Sequence, residues 1–348
     1  MSTMKTLTKF FCVVLIAFFL VNAVESAYAG SPRYVFKVAS LAPEGSVWTK
    51  RFRDFTNEVV EKSNGEIGFK IYAGGVMGDD RAMYRKMRVG QLNGGGFTMT
   101  GISEVVPDFR VLGIPFMFNS YDEVDRVREK LMPRFEKEFD DKGMVLLAVS
   151  EVGFVYTMST TPITTLDELK QSKAWAPEGD PISRVLLETV GVTPIPLSIP
   201  DVLTSLQTGL INTAFNSYYG SIALQWFTRI SYITDIPFAY AYGAFILDKK
   251  TFSRLPPHYA ELMKTAAKTH FGKLLSDTRK SNEEAMQVLI KNGITLVQLT
   301  PMTKAELQTN YREKTVAKLV GDAFSKSIYT EAMMYLDNYH KELSAPQQ

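Results

Sequence analysis

The sequence predicts an α/β protein of two lobes, with the chain crossing between them more than once. Three observations carry this reading. Strand-like and helix-like segments alternate through the first part of the chain, as in α/β domains with a largely parallel sheet. The length of 348 residues suits about two domains. No internal repeat and no Pro/Ser-rich linker divides the chain, so interleaved lobes fit better than separate beads.

The first residues read as a targeting segment. Lys5 and Lys9 are basic, Phe10–Val21 is apolar, and Ala27-Tyr28-Ala29 has the small-x-small form of a cleavage site. Residues 1–29 are therefore expected to be a secretory signal peptide, cut after Ala29. The apolar run is too short to span a bilayer. Cys12, the one cysteine, lies within it. A mature chain without cysteine suits an oxidising compartment such as the periplasm.

Tyr34–Ser40 is rich in β-formers and is the first expected strand. Trp48, Phe52, Phe55 and Val59 recur at helical spacing, so a helix starts near Val47 with Ser46 as N-cap. Asn64-Gly65 ends it. Ile67–Tyr72 is a strand, and Arg81–Val89 a short helix stopped by Gly90. Gly94-Gly95-Gly96 admits two readings. It could cradle a phosphate, although neither G-x-G-x-x-G nor a Walker spacing is present. The favoured reading is a strand that another backbone or a ligand approaches closely.

Phe109–Phe118 is an apolar stretch broken by Pro115, and Tyr121–Phe139 is an amphipathic helix. Met144–Val149 and Val155–Met158 read as two strands around Gly153. A short helix starts at Thr165, and Ala174–Ala176 is a short strand. Ile182–Val190 is helical up to Gly191. Pro194–Pro200 is extended, Asp201–Leu206 opens a helix closed near Gly209, and Asn212–Asn216 is a strand. Ser221–Phe227 is expected to be helical, Tyr240–Leu247 a strand, and the chain mostly helical from Pro256, interrupted by a β-like run at Ile294–Gln298.

Composition excludes several classes. Hydrophobic residues make up 45%, charged 22% and aromatic 12%, which is globular rather than disordered. A formal charge of +2 lacks the basic footprint of a nucleic-acid binder. One cysteine and three histidines disfavour a zinc site or an iron–sulfur cluster, so no metal or cofactor is expected. His258, His270 and His340 have no serine elbow nearby and read as packing or surface residues. The acidic pairs Asp140-Asp141 and Glu283-Glu284 read as solvated helix faces, and Asp79-Asp80 as a helix cap. The aromatics are more suggestive. Tyr218, Tyr219, Trp226 and Phe227 follow Asn216 at a strand end, a favoured place for ligands in α/β sheets. Core packing is the competing reading for Trp226 and Phe227.

Several segments together resemble the substrate-binding proteins of tripartite ATP-independent periplasmic (TRAP) transporters, of the DctP type. They are Ala42-Pro43-Glu44-Gly45-Ser46, Ile71–Asp79, Ile114-Pro115-Phe116, and Pro162-Ile163 leading into Leu166–Lys170. The most specific stretch is Pro194–Asn216, with Leu206-Gln207-Thr208-Gly209 inside it. The resemblance covers nearly the whole chain after residue 29. It implies a type II-like periplasmic-binding-protein fold, each lobe a sheet flanked by helices, with long C-terminal helices. Lobe I is expected over 34–152 and about 240–280, lobe II over 153–239 and about 281–340. It also implies a binder, not an enzyme. Such a binder closes on a small organic ligand and delivers it to a permease with a small and a large membrane subunit. A monomer or weak dimer is expected. The alternatives are a ligand sensor docking on a membrane receptor and an exported hydrolase on the same scaffold.

The departures from the family pattern define the expected site. The family has Lys-x-Arg-x-Pro at the strand opening the second lobe, and the resemblance implies that this arginine grips a ligand carboxylate. Here the segment is Lys173-Ala174-Trp175-Ala176-Pro177, so Trp175 stands in the arginine position. Gly153-Phe154-Val155-Tyr156 offers no second arginine, and only the asparagine of a Gln-Glu-Asn-Pro strand end remains, as Asn216. A charge-assisted pair worth roughly 1.5–3 kcal/mol is replaced by one N–H and a flat apolar face. The expected ligand is then apolar, aromatic, a cation stacked on Trp175, or a carboxylate held by other groups, with Arg184 and Arg229 as candidates. The candidate ligand-binding residues are Trp175, Asn216, Tyr219, Val155, Tyr156, Trp48, Tyr218 and Trp226. Truncation of Trp175 is expected to remove binding with little loss of fold.

Overall fold

The computed structural model describes residues 31–344. The expected signal peptide and its cleavage point lie outside the described residues.

Nine strands form two sheets. β1 (Tyr34–Ser40), β2 (Ile67–Tyr72), β3 (Gly94–Thr98), β4 (Met144–Ser159), β7 (Thr213–Asn216), β8 (Tyr232–Asp248) and β9 (Thr295–Val297) make the large one. Its order is β2-β1-β3-β8-β4-β7, with β9 also on β8. β5 (Trp175–Pro177) and β6 (Ile195–Leu197) form a small parallel sheet. The longer helices are α1 (Val47–Lys62), α2 (Asp80–Arg88), α3 (Tyr121–Asp141), α4 (Pro181–Thr189), α5 (Pro257–Lys291) and α6 (Lys326–Ser344).

The large sheet is mixed, not largely parallel. β1 runs parallel to β2 and β3, whereas β3–β8, β8–β4 and β4–β7 are antiparallel. The reason is the pair β4 and β8, of 16 and 17 residues. Each is continuous where the sequence suggested a break. β4 passes through Gly153, which takes φ +113° at a register shift. A bulge explains the glycine without ending the strand. β8 begins at Tyr232, because residues 235–238 bow out opposite Tyr156 between the pairs Thr157–Thr234 and Val155–Ala239. Pro237 in that bow hides the first half of the strand.

The glycine triplet is a strand, for a steric reason. A Cβ on Gly95 would lie 2.0 Å from the Ala39 carbonyl oxygen, and one on Gly94 2.1 Å from that of Ile246. Only glycine lets β3 fit between β1 and β8 at this separation. Helix ends follow their caps. Ser46 Oγ accepts from Thr49 N at the start of α1, and Asp79 Oδ1 accepts from Ala82 N at the start of α2. The expected helix Ser221–Phe227 instead comprises Tyr218–Ala223 and a 3-10 turn at Trp226–Arg229. They are separated by Gln225 at φ +61°, and Ser217 caps the first piece.

The cores lie on both sides of this sheet and beyond its end. Phe36, Phe55, Phe245 and Phe271 pack together on one face. Phe109, Phe135, Phe139 and Tyr242 pack on the other. Trp175, Trp226, Met158 and Ile233 form a third core. α5 contributes to two of these, through Leu274 and through Leu289, and at 35 residues it is about 50 Å long. Ile328, Ala332 and Leu336 of α6 pack with Phe109 and Phe135. The sequence reading grouped residues about 281–340 with the second lobe. The final helix packs along α3, with its apolar stripe in the core that holds Phe109 and Phe135.

Asp80 joins α2 to the end of β3. It accepts from Thr98 N at 3.1 Å and meets Thr98 Oγ1 at 2.6 Å while buried. Burial pushes its carboxyl up to about 7, with the Thr98 hydrogen bonds working in the other direction. A raised carboxyl pKa stabilises the fold below its ordinary value near 3.8, and the gain is lost as pH rises to about 7. Asp80→Asn mimics the neutral acid. Its melting temperature relative to the native chain should therefore be several degrees more favourable at pH 7.5 than at pH 4, measured by calorimetry at both.

Candidate functional site

The crossing of β4 and β8 is held by buried charge. Glu151 on β4 is fully buried. Arg279 of α5 donates to it through Nε at 3.0 Å and Nη2 at 2.9 Å, and to Asp125 of α3 at 2.6 and 2.8 Å. Burial works against the Arg279 charge, but the bonds to Asp125 and Glu151 outweigh it and raise the guanidinium pKa. Tyr240 Oη donates to Glu151 Oε2 at 2.8 Å, and burial followed by the Glu151 charge holds this hydroxyl protonated. A buried carboxylate needs such partners. Two strands and two helices are thereby fixed at one point of the sheet.

Beside this point lies a cavity of about 260 Å³. β3 contributes Gly96, Phe97 and Thr98, β4 Ser150, Val152 and Val155, and β8 the run Phe238–Gly243. Trp48 and Phe52 of α1 close one side, and Ile182 and Leu186 of α4 another. Among the described residues that line it, none is lysine, arginine or histidine, and the one charged group is Asp180. That carboxylate already caps α4, accepting from Ile182 N at 3.3 Å, Ser183 N at 3.0 Å and Ser183 Oγ at 2.5 Å. Arg184 is exposed and pairs with Glu188, and Arg229 is exposed on the turn after Trp226. Neither lines the cavity. Arg110 is buried behind the wall, donating to the Ala323 carbonyl at 3.1 Å, and is not a lining residue.

Five of the eight expected residues come together here: Trp48, Val155, Trp175, Asn216 and Trp226. The indole N–H groups of Trp48 and Trp175 are already committed. Trp48 Nε1 donates to the Glu151 carbonyl at 2.8 Å, and Trp175 Nε1 to the Leu197 carbonyl at 2.9 Å. Trp175 therefore presents carbon to the cavity, not a donor. It is 3% exposed and meets Trp226 edge to face at 5.2 Å. That corrects the expectation that truncation would spare the fold: removing a buried tryptophan side chain costs about 3–5 kcal/mol. Asn216 is different. Its Oδ1 accepts from Ser217 N at 2.8 Å. Among the described residues Nδ2 has no hydrogen-bond partner, so this lining residue keeps an uncommitted donor.

The other three stand beside the cavity. Tyr219 Oη accepts from Val47 N at 2.9 Å, and its ring lies 5.0 Å from that of Trp48. It clasps the start of α1 to the segment after β7. Tyr156 and Tyr218 stack at 4.1 Å, and Tyr218 Oη donates to Asp235 Oδ1 at 2.7 Å. Tyr218 thus anchors the first residue of the 235–238 bow.

The sequence reading missed Phe215, Phe238, Tyr240 and Leu186, which all line the cavity. Phe238, Tyr240 and Tyr242 alternate along β8, and that period of two was a usable sign that one strand face carries aromatics. The three histidines serve packing. His270 pairs with Glu58 at 2.6 Å, His340 with Glu123 at 2.9 Å, and His258 lies against Tyr259. Among the described residues no cluster of three metal-ligating side chains occurs, and no helix is long and apolar enough to cross a membrane.

Comparison with known proteins agrees with this architecture. A solute-binding protein of Chromohalobacter salexigens is 29% identical over 171 residues, covering 49% of this chain and 51% of the relative, so the match spans about half of that protein's length. The 2,3-diketo-L-gulonate-binding periplasmic protein of Escherichia coli is 23% identical over 223 residues, covering 63% of this chain and 66% of that one. The sugar acid binding protein of Advenella mimigardefordensis, solved with galactonate, superposes with a TM-score of 0.83 at 18% identity, over 88% of this chain and 99% of that one. These structural neighbours are two-lobed binding proteins, and the likeness shows that this chain shares their fold. The model of the DctP family, described as bacterial extracellular solute-binding protein family 7, matches residues 38–318. The chain belongs to that family of solute-binding proteins.

Proposed function

We propose that this chain is the periplasmic receptor of a TRAP transporter and that it closes on a small, neutral, largely apolar organic ligand. Residues 1–29 act as the signal peptide. The lobes divide near Gly153 and Ala239, and the permease that receives the ligand has a small and a large membrane subunit. One observation carries the ligand assignment: a cavity at the strand crossing without a cation among its described lining residues. A carboxylate there would be buried unpaired beside Asp180, and the effective penalty for such an ion is several kcal/mol. Two of the relatives named above bind sugar acids, 2,3-diketo-L-gulonate and galactonate; this site is built for something else. Asn216 Nδ2 supplies a donor for one carbonyl or hydroxyl of the ligand, and Trp175 and Trp226 supply a flat apolar wall. A dry cavity of roughly 150 Å³ holds a benzene-sized guest, so 260 Å³ suits about ten non-hydrogen atoms.

A thermal-shift panel on the chain from Gly30 onward tests this. Aromatic and aliphatic amides and alcohols should raise the melting temperature by a few degrees at about a hundred times their dissociation constant. Sugar acids and dicarboxylates should leave it unchanged. Stabilisation by the acids alone would overturn the assignment.

Trp175 and Asn216 separate shape from polarity. Asn216→Asp removes the donor and adds a negative charge, and should weaken a carbonyl-bearing ligand at least tenfold with a small change in melting temperature. Trp175→Phe keeps an apolar ring and should retain binding within about tenfold, while Trp175→Ala should lower the melting temperature by many degrees. Calorimetry reads both quantities. Equal affinity in the native chain and Asn216→Asp would remove Asn216 from the site.

A further inference from the structure

We infer that the ligand site has a second chamber, entered between Phe215 and Phe238, which takes the short aliphatic end of the ligand. The inference rests on the neutral-ligand reading for what enters, but not for the chamber itself. A separate cavity of about 60 Å³ lies beyond the main one. The two share Ser183, Leu186, Phe215 and Phe238 as a common wall. Its far side is formed by Ile163, Leu166, Leu187 and Leu307.

The chamber offers mostly carbon, with the Thr157 hydroxyl its one lining hydroxyl that lacks a partner among the described residues. Thr234 Oγ1 donates to the Ile163 carbonyl at 2.8 Å, Ser183 Oγ donates to Asp180, and Thr300 Oγ1 donates to Thr303 Oγ1 at 2.8 Å. Thr165 Oγ1 accepts from Glu168 N as a helix cap. None of its described lining residues is charged. On the same benzene scale, 60 Å³ suits about two or three carbon atoms.

The wall has the construction of a gate. Phe215 and Phe238 meet edge to face, with centroids 5.3 Å apart at 80°. Phe215 comes from the short edge strand β7 and faces Thr157 across the ladder. Phe238 ends the bow that leaves the β8–β4 ladder. That bow is fixed at its first residue by Tyr218 and by Gln298, whose Nε2 donates to Asp235 at 3.1 Å. At its last residue Phe116 N donates to the Phe238 carbonyl at 2.7 Å, with Phe116 itself in the left-handed region at φ +54°. A non-glycine residue held there is over-determined by its surroundings. The backbone is pinned on both sides, while the two rings are only half-buried. Ring rotation opens the way without moving the strands.

Two measurements test this. Crystals of the ligand-free chain under xenon pressure should show xenon in the 60 Å³ chamber, as dry apolar cavities of this kind take it up. An empty chamber, with xenon bound elsewhere, would overturn the proposal whatever the ligand is. The second uses N-alkylbenzamides from methyl to hexyl. Native affinity should rise to about propyl and then fall. Phe215→Ala and the milder Phe238→Leu should each raise the hexyl-to-methyl affinity ratio at least tenfold. An unchanged ratio in both folded variants would overturn the gate. Failure of every benzamide to bind, with xenon in the chamber, would contradict the neutral-ligand reading and leave the chamber standing.

Discussion

The structure depends on one ladder, the antiparallel pairing of β4 with β8. No other element runs through as much of the molecule. The ladder receives β3 on one side and β7 on the other. It is interrupted at three register shifts, and two of them shape the site. The shift at Glu151–Gly153 lets a carboxylate turn inward to Arg279 and Tyr240. The one at Val155–Thr157 releases the four residues that end in Phe238. Strands that bend at bulges supply side chains to a cavity without losing their pairing. The cavity therefore sits where two long strands deviate from regularity, held by a buried ion cluster that is unstable with any partner missing.

The polar groups around the cavity have mostly been spent on the protein itself. The Trp48 and Trp175 indole N–H groups meet backbone carbonyls, the Tyr240 hydroxyl meets Glu151, and the Asp180 carboxylate meets a helix N-terminus. Asn216 Nδ2, the Trp226 N–H and the Ser150 and Thr100 hydroxyls have no side-chain partner among the described residues. A site with a few uncommitted polar atoms in an apolar wall selects by shape and by one or two hydrogen bonds. The proposal of a neutral ligand rests on the same ground: no described lining residue is a cation that would offset the desolvation of a charge. The same reasoning extends to the chamber behind Phe215 and Phe238, where most hydroxyls are satisfied internally and none of the described lining residues is charged.

Much of the fold was legible because local chemistry decides helix ends and strand cores. Ser46, Asp79 and Gly209 mark ends that the structure keeps, and Tyr34–Ser40 and Ile67–Tyr72 are strands with unchanged bounds. Strand direction was not legible, since pairing partners far apart in sequence leave no local mark. Gly153 and Pro237 misled, because bulges use the same residues as turns. Trp175 could be singled out from its place in the family pattern. That its ring is also a core residue, with its N–H already used, depends on Trp226 and Leu197, which no spacing reveals. Tyr219 and Tyr218 were drawn to the site by position, yet they brace the elements that build it.

The central claim is that the lack of a cation among the described lining residues makes this site take a neutral ligand. Calorimetric titration with a matched pair, benzoic acid and benzamide, tests it most directly. The account predicts that benzamide binds with an affinity independent of pH between 5 and 8. Benzoic acid should bind at least a hundredfold more weakly at pH 8 and gain affinity as pH falls toward its own pKa. Tighter binding of benzoate than of benzamide at pH 8 would contradict the account.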